Sequence, residues 1–165
     1  MISHAKLVHW ALTLELASLT RELKRGMSVD GLLLAAASAH DPDPRVQEAV
    51  IRLLLRRGAD VNETDKNGVS PLHRAVRFRS PRAVKLLLEK GADVNAIDRR
   101  TRSTPLHRAV THTGAPATAG KSEQIVEIIR LLLAHGADRT IKNNAGKTAR
   151  EYVRRPEILA LVSRP

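Results

Sequence analysis

The segment LLLRRGADVN at residues 53–62 returns as LLLEKGADVN at residues 86–95 and, shortened, as LLLAHGAD at residues 131–138. The glycines of the first two copies are 33 residues apart, and the third follows after a further 45. Self-similarity at a fixed period indicates a repeat architecture, in which each unit covers the apolar side of the next. The leucine triplet predicts the end of a helix, and the glycine after it predicts termination at positive φ.

A second segment recurs between these copies. SPLHRAV at residues 70–76 is matched by TPLHRAV at residues 104–110, and more distantly by GKTAREYV at residues 146–153. Ser70 and Thr104 occupy N-cap positions, and a proline follows each at the first helical position, where a missing N–H costs nothing. Thr148 and Glu151 predict a capping box. Each unit is therefore a turn, a helix, a short loop, a second helix and a glycine stop.

These segments resemble the ankyrin-repeat family over about residues 31–160. The resemblance implies an all-α ankyrin-repeat solenoid of stacked helix–turn–helix units, with short β-hairpin fingers and atypical helical caps. We expect a single domain with an N-terminal capping helix in residues 1–30, repeats at about 31–63, 64–96 and 97–142, and a C-terminal capping repeat at 143–165. The extra residues of the third repeat fall mainly at 111–121, where we expect a mobile surface loop.

Both ends depart from the pattern. Apolar residues at helical spacing within residues 4–25 predict one capping helix. The unit that begins at Gly31 lacks the SPLHRAV segment, and no finger is expected before it. At the other end, Pro156 predicts two short helical pieces within residues 148–162. Terminal units of a solenoid differ from internal ones because their outer faces meet solvent.

Charge and composition restrict the classes of function. The net charge is +11 over 165 residues, with no cysteine and three aromatic residues. This charge favours acidic proteins, nucleic acids or anionic lipids as partners. The chain has no segment typical of a signal peptide or a membrane span, so we expect a cytoplasmic protein that does not bind membranes.

Catalytic and metal-binding motifs are missing from the sequence. It has no P-loop, no G-x-S-x-G and no metal-ligand spacing among its seven histidines. We therefore predict no enzyme activity, no cofactor and no metal. His73 and His107 occupy equivalent positions in two repeats, and the resemblance implies that each imidazole bonds the backbone of a neighbouring finger.

The resemblance also implies where a partner binds, because the family uses positions that the repeat does not fix. These are the finger tips and the exposed side of the first helix of each unit. The corresponding residues are Lys66, Asn67, Val69, Arg77, Phe78, Arg99, Arg100, Arg102, Ser103, Thr111, His112, Asn144, Ala145 and Lys147. Arginine recognises carboxylate and phosphate through its planar fork, and Phe78 among arginines is typical of a binding hot spot.

The predicted function is protein–protein interaction: an adaptor, scaffold or inhibitor, acting as a monomer, that binds an acidic protein on a basic concave face. The alternative is binding of nucleic-acid phosphates without sequence specificity, although the scarcity of aromatic residues disfavours base stacking. The charge itself has a second explanation, a surface that is basic throughout. Arginines outside the predicted site favour that explanation: Arg52, Arg56, Arg57, Arg74, Arg108 and Arg130.

Overall fold

The computed structural model describes residues 3–39, 44–111 and 122–163. The described residues contain nine α-helices and one 3-10 turn, Ala149–Tyr152. The helices are α1 His4–Leu12, α2 Leu16–Leu23, α3 Leu32–Ser38, α4 Pro44–Arg56, α5 Pro71–Arg77, α6 Pro81–Glu89, α7 Pro105–Val110, α8 Ser122–Ala134 and α9 Pro156–Ser163. His112 and most of the insertion at 111–121 lie outside the described residues.

The helices pack in two layers. The inner layer runs α1, α3, α5, α7 and the 3-10 turn, and each of these elements contacts the next. The outer layer runs α2, α4, α6, α8 and α9 in the same manner. Each inner helix is followed in the chain by its outer partner, so the molecule is a stack of helix pairs. The predicted all-α ankyrin-repeat solenoid is confirmed.

The core consists of leucines at equivalent places in successive units. Leu54, Leu87 and Leu132 of the outer layer are fully buried. Leu33 and Leu72 of the inner layer are equally buried. Units that repeat in sequence thus superimpose in space, and each apolar side is covered by the neighbouring unit, which is the main source of stability in a solenoid.

The predicted helix ends are confirmed. Gly58, Gly91 and Gly136 have φ of 89°, 86° and 85°. In each copy the N–H of the next residue donates back to a leucine carbonyl, as Ala59 does to Leu54 at 3.1 Å. A residue with a Cβ is strained at such φ values, so glycine is needed at all three positions.

The N-terminal cap differs from the prediction, because residues 4–25 form two helices, α1 and α2, instead of one. Leu14 breaks the helix with a φ of 58° yet remains buried. The two helices pack on α3 and α4 respectively. Helix α1 buries Leu7 and Ala11, and α2 buries Leu19 and Leu23. The apolar spacing therefore continues across the break, and the sequence pattern does not reveal it.

The C-terminal cap agrees with the prediction. Pro156 separates the 3-10 turn from α9. The Thr148–Glu151 capping box is present, with the Thr148 N–H donating to the Glu151 carboxylate at 2.7 Å.

The fingers are turns, and the described residues contain no β-strand. In the first finger, Asp65 N–H donates to the Val69 carbonyl at 3.1 Å. Neighbouring fingers are bonded: Arg99 N–H donates to the Asn67 carbonyl at 2.8 Å, and Asn144 N–H donates to the Thr101 carbonyl at 2.9 Å. As expected, no finger precedes α3, since the short link at residues 24–31 has no residues to form one.

Candidate functional site

Two buried histidines hold the fingers over the inner helices. The Ser70 N–H donates to His73 Nδ1 at 3.3 Å, which leaves the proton on Nε2, and Nε2 lies 3.0 Å from the Ser103 carbonyl. His107 repeats this arrangement between Thr104 and the Lys147 carbonyl. Burial lowers the pKa of His73, so its imidazole is neutral. The predicted structural role of both histidines is confirmed.

A groove lies between the first two fingers and helices α5 and α7. Its volume is about 150 Å³. Sites for drug-sized ligands typically occupy about 300–1,000 Å³, so this groove fits one or two side chains of a protein partner. We call it the Arg groove, and its lining residues are Asp65, Asn67, Val69, His73, Arg74, Arg77, Asp98, Arg100 and Arg108.

Two ion pairs span the wall of the Arg groove. Arg74 Nη2 lies 2.7 Å from Asp65 Oδ2, and Arg108 Nη2 lies 3.1 Å from Asp98 Oδ2. Each pair joins an inner helix to the finger that precedes it. These contacts fix both guanidinium groups in orientation and leave Arg77 and Arg100 to supply the surplus positive charge.

Both carboxylates of the groove are ionised. Burial raises the pKa of Asp65, but hydrogen bonds from the Val69 N–H, the Arg74 guanidinium and the Asn67 N–H outweigh it, and the net pKa is lowered. Burial likewise opposes the hydrogen bonds from Thr101 and the charge of Arg108, and the pKa of Asp98 is again lowered. The two acids therefore act as fixed anchors for Arg74 and Arg108.

The surplus cations are Arg77 and Arg100. Both side chains are exposed, and neither forms an ion pair within the described ranges. The groove thus presents four arginines against two aspartates. A carboxylate that entered it could take a bidentate contact from either free guanidinium.

Only part of the predicted site lines this groove. Asn67, Val69, Arg77 and Arg100 do so. Lys66, Arg99 and Arg102 are exposed on the fingers outside it. Phe78, in the turn after α5, and Thr111, after α7, are half-buried and also lie outside it, so the aromatic is not part of this arginine cluster.

The remaining predicted residues have structural contacts. Ser103 is 8 % exposed and its carbonyl accepts the bond from His73, so it is a poor candidate for contact with a partner. The carbonyl of Lys147 accepts from His107, and its ammonium lies 5.7 Å from the centre of the Tyr152 ring. The side chain of Asn144 donates to the Arg100 carbonyl at 2.9 Å, and Ala145 is exposed beside it.

Sequence analysis missed two groups of groove residues. Arg74 and Arg108 were assigned to the general basic surface, and Asp65 and Asp98 were not among the predicted site residues. A signal was present, because an arginine follows the Pro-Leu-His triplet in both repeats and an aspartate begins both fingers. Recurrence of a charged pair in two units indicates a contact within each unit.

A larger groove of about 350 Å³ lies on the outer helices. Its charges neutralise one another: Glu48 pairs with Arg52 at 2.7 Å and with Arg82 at 3.4 Å, and Lys85 lies 3.9 Å from Glu89. Exposed pairs of this kind contribute little to stability and leave no net field for a charged partner. We therefore favour the smaller Arg groove as the candidate site.

Other kinds of site are not found in the part of the chain that the structure describes. Among residues 3–39, 44–111 and 122–163, no three His, Asp or Glu side chains are grouped so as to hold a metal ion. No helix within the same ranges has the length and apolar character to cross a bilayer.

Comparison with known proteins agrees with the stacked helix pairs. A family model described as ankyrin repeats, in three copies, matches residues 32–143. Zygote-specific protein 3 of Chlamydomonas reinhardtii is 38% identical over 102 residues, which make up 62% of this chain and 24% of that protein. The chain therefore spans about a quarter of the length of this relative.

Proposed function

The chain belongs to the ankyrin-repeat family, whose repeats generally mediate protein–protein interaction, and we propose that it binds an acidic protein segment in the Arg groove. The family is typically a non-enzymatic interaction module. In this proposal the chain acts as a cytoplasmic monomer that serves as an adaptor, scaffold or inhibitor.

One observation carries the proposal: the Arg groove holds two guanidinium groups that are paired and two that are not. Asp65 and Asp98 hold Arg74 and Arg108 in place. Arg77 and Arg100 stand exposed at the same groove. The two paired arginines give the groove a defined shape, and the two unpaired arginines give it a net attraction for carboxylates.

Nucleic acid is the second candidate, and the groove favours it less. No aromatic side chain lines the groove, so bases have no surface on which to stack.

The test uses the full chain and a fluorescein-labelled peptide with four consecutive acidic residues flanked by Gly and Ser. The variant Arg77→Glu/Arg100→Glu reverses the two free charges. The matched control Arg21→Glu/Lys24→Glu makes the same change in net charge at exposed positions of the first helix pair. Affinity is measured by fluorescence anisotropy at low salt, with thermal unfolding of each variant recorded alongside.

We expect the groove variant to bind the peptide at least about tenfold more weakly, and the control variant to lose less than about threefold. Equal losses in both variants would mean that the attraction comes from overall charge and would contradict the groove. Tighter binding of a DNA or RNA oligonucleotide of equal charge, with affinity falling steeply as salt increases, would instead establish the second candidate.

A further inference from the structure

The exposed surface of the inner helix layer, which we call the inner face, changes from basic on α5 to uncharged on α3. In α5 the fourth and seventh helical residues are Arg74 and Arg77. In α3 the same positions hold Ala35 and Ser38. The row of arginines that lines the groove therefore ends where α5 meets α3, and helix α3 has no charged side chain.

The surface of α3 is also partly exposed. No finger precedes this helix, because residues 24–31 link α2 to α3 directly. The side chains of Leu34, Ala35 and Ser38 are half-buried there, and we call these three residues the α3 floor. The floor lies on the helix next to α5, which carries Arg74 and Arg77 of the Arg groove, since α3 packs against α5.

Acidic residues border the beginning of α3. The Glu63 carboxylate accepts hydrogen bonds from the N–H groups of Gly31 at 3.1 Å and Leu34 at 2.9 Å. Its pKa is raised, first by burial and then by the nearby charges of Asp60 and Asp30. Three carboxylates thus stand at this end of the inner face, whereas the arginines stand at the other.

The charge distribution leads to a specific occupant. We propose that the partner segment has two parts, an acidic block that lies in the Arg groove and an uncharged block with small or apolar side chains that lies on the α3 floor. The inference rests on the proposed function and adds the composition of the second block. Carboxylates over α3 would meet Glu63, Asp30 and Asp60, and helix α3 itself has no basic side chain to offset the repulsion.

The dimensions suit a short extended peptide. Packed helices lie about 8–10 Å apart, and an extended chain advances about 3.3 Å per residue. About three residues therefore cross from the groove to the neighbouring helix. A segment of four acidic and four uncharged residues would cover both surfaces.

The experiment compares labelled eight-residue peptides by fluorescence anisotropy on the full chain. One peptide has four Glu/Asp followed by four Ala/Leu, the second has the reverse order, and the third is acidic throughout. We expect the better of the two-part peptides to bind about threefold to tenfold more tightly than the fully acidic one, despite its smaller charge. Tighter binding of the fully acidic peptide would overturn the inference and leave the proposed function intact.

Two variants extend the row of arginines over α3. In Ala35→Arg and, separately, in Ser38→Arg, the preference should shift toward the fully acidic peptide by about threefold or more. Two positions are used because either substitution alone could disturb packing, and thermal unfolding identifies a variant that is damaged. An unchanged preference in a folded variant would overturn the inference. Failure of all three peptides to bind the native chain would overturn the proposed function with it.

Discussion

Helices α3 and α5 occupy equivalent places in adjacent units, yet they begin in different ways. Helix α5 begins with its own cap, since the Ser70 hydroxyl accepts from the His73 N–H and the His73 ring accepts from the Ser70 N–H. Helix α3 begins after Gly31 at a φ of 70° and has no cap of its own. Glu63 of the next unit binds its free N–H groups.

The two caps have different consequences for folding. The start of α5 depends on residues within one turn of it, so it can form as soon as that turn forms. The start of α3 depends on a residue about 30 positions later in the chain, so it is complete only when the following unit is folded. Glu63 bonds to the unit before it in the chain, whereas His73 bonds to the unit after it, through the Ser103 carbonyl. The start of α3 is therefore coupled to the following unit through the Glu63 carboxylate.

The largest expected loss of stability comes from truncating the buried leucines that α3 and α5 have in common. Leu33 of α3 and Leu72 of α5 are both fully buried, and we expect Leu33→Ala and Leu72→Ala each to lower the free energy of unfolding by roughly 2–5 kcal/mol. Urea denaturation measures both. Leu159→Ala serves as the control, because this leucine is 38 % exposed and should cost far less. A small loss for Leu33→Ala alone would show that α3 is poorly packed on its neighbours.

The next effect concerns the buried histidine that α3 lacks. We expect His73→Ala to lower the free energy of unfolding by about 1–3 kcal/mol, since the Ser70 N–H is left without its acceptor and the Ser103 carbonyl keeps only the Asp98 N–H as a donor. His107→Ala removes the equivalent contacts and should cost a similar amount. Denaturation of the two variants side by side is the measurement. A negligible loss in both would contradict the role of the histidines in joining units.

Removing either cap should lower the free energy of unfolding by less, and the two variants should loosen different helix starts. We expect Ser70→Ala and Glu63→Ala each to lower the free energy of unfolding by about 1 kcal/mol. Amide hydrogen exchange should distinguish them, with faster exchange at the start of α5 in the first variant and at the start of α3 in the second. Faster exchange at α5 in Glu63→Ala would show that the carboxylate does not act as the cap of α3.

The smallest expected effect is a dependence on pH. The pKa of His73 is lowered by burial from its ordinary value of 6.5, so below that value the unfolded chain binds more protons at this site than the folded chain does. The contribution of His73 to the free energy of unfolding is therefore complete above pH 6.5 and is lost as the pH falls toward the lowered pKa. Replacement by asparagine, His73→Asn, should flatten the stability profile in this window.

Glu63 must be substituted before that measurement, because its effect on the slope of the free energy of unfolding against pH has the opposite sign to that of His73. Its pKa is raised above the ordinary 4.5, so its contribution is present at low pH and is lost as the pH rises through the raised pKa. The comparison is therefore made in Glu63→Gln, with and without His73→Asn, by urea denaturation at pH 5 to 8. Identical slopes in the two proteins would contradict the buried, neutral state of His73.

Most of the fold could be predicted because its signals are local. The glycine stops, the proline-led helix starts and the Thr148–Glu151 box each depend on residues within a turn of one another. The helix break at Leu14 could not be predicted, because two short helices that pack on two different neighbours bury the same kinds of residue as one long helix would. Its φ of 58° is imposed by packing, since leucine has no preference for that conformation.

Four of the predicted partner-binding residues line the candidate groove: Asn67, Val69, Arg77 and Arg100. Their binding of a partner stays a prediction. The sequence pattern grouped Phe78 with the arginines and left Arg74 among the general surface charges, whereas in the structure Phe78 lies outside the groove and Arg74 lines it. Which arginines are neutralised depends on distances of 3 to 4 Å between side chains, and spacing along the chain does not determine these distances.

Amino-acid sequence alone determined the repeat length, the order of the helices from α3 onward and the histidines that join the units, because a stacked repeat places equivalent residues in equivalent surroundings. Tertiary structure alone decided that Glu63 caps α3, that Asp65 and Asp98 hold two of the four arginines of the groove, and that the basic row ends at α3. The physical reason is that charge compensation acts through space: the sum of nearby charges sets the chemistry of the inner face, and only superposition of the units brings those charges together.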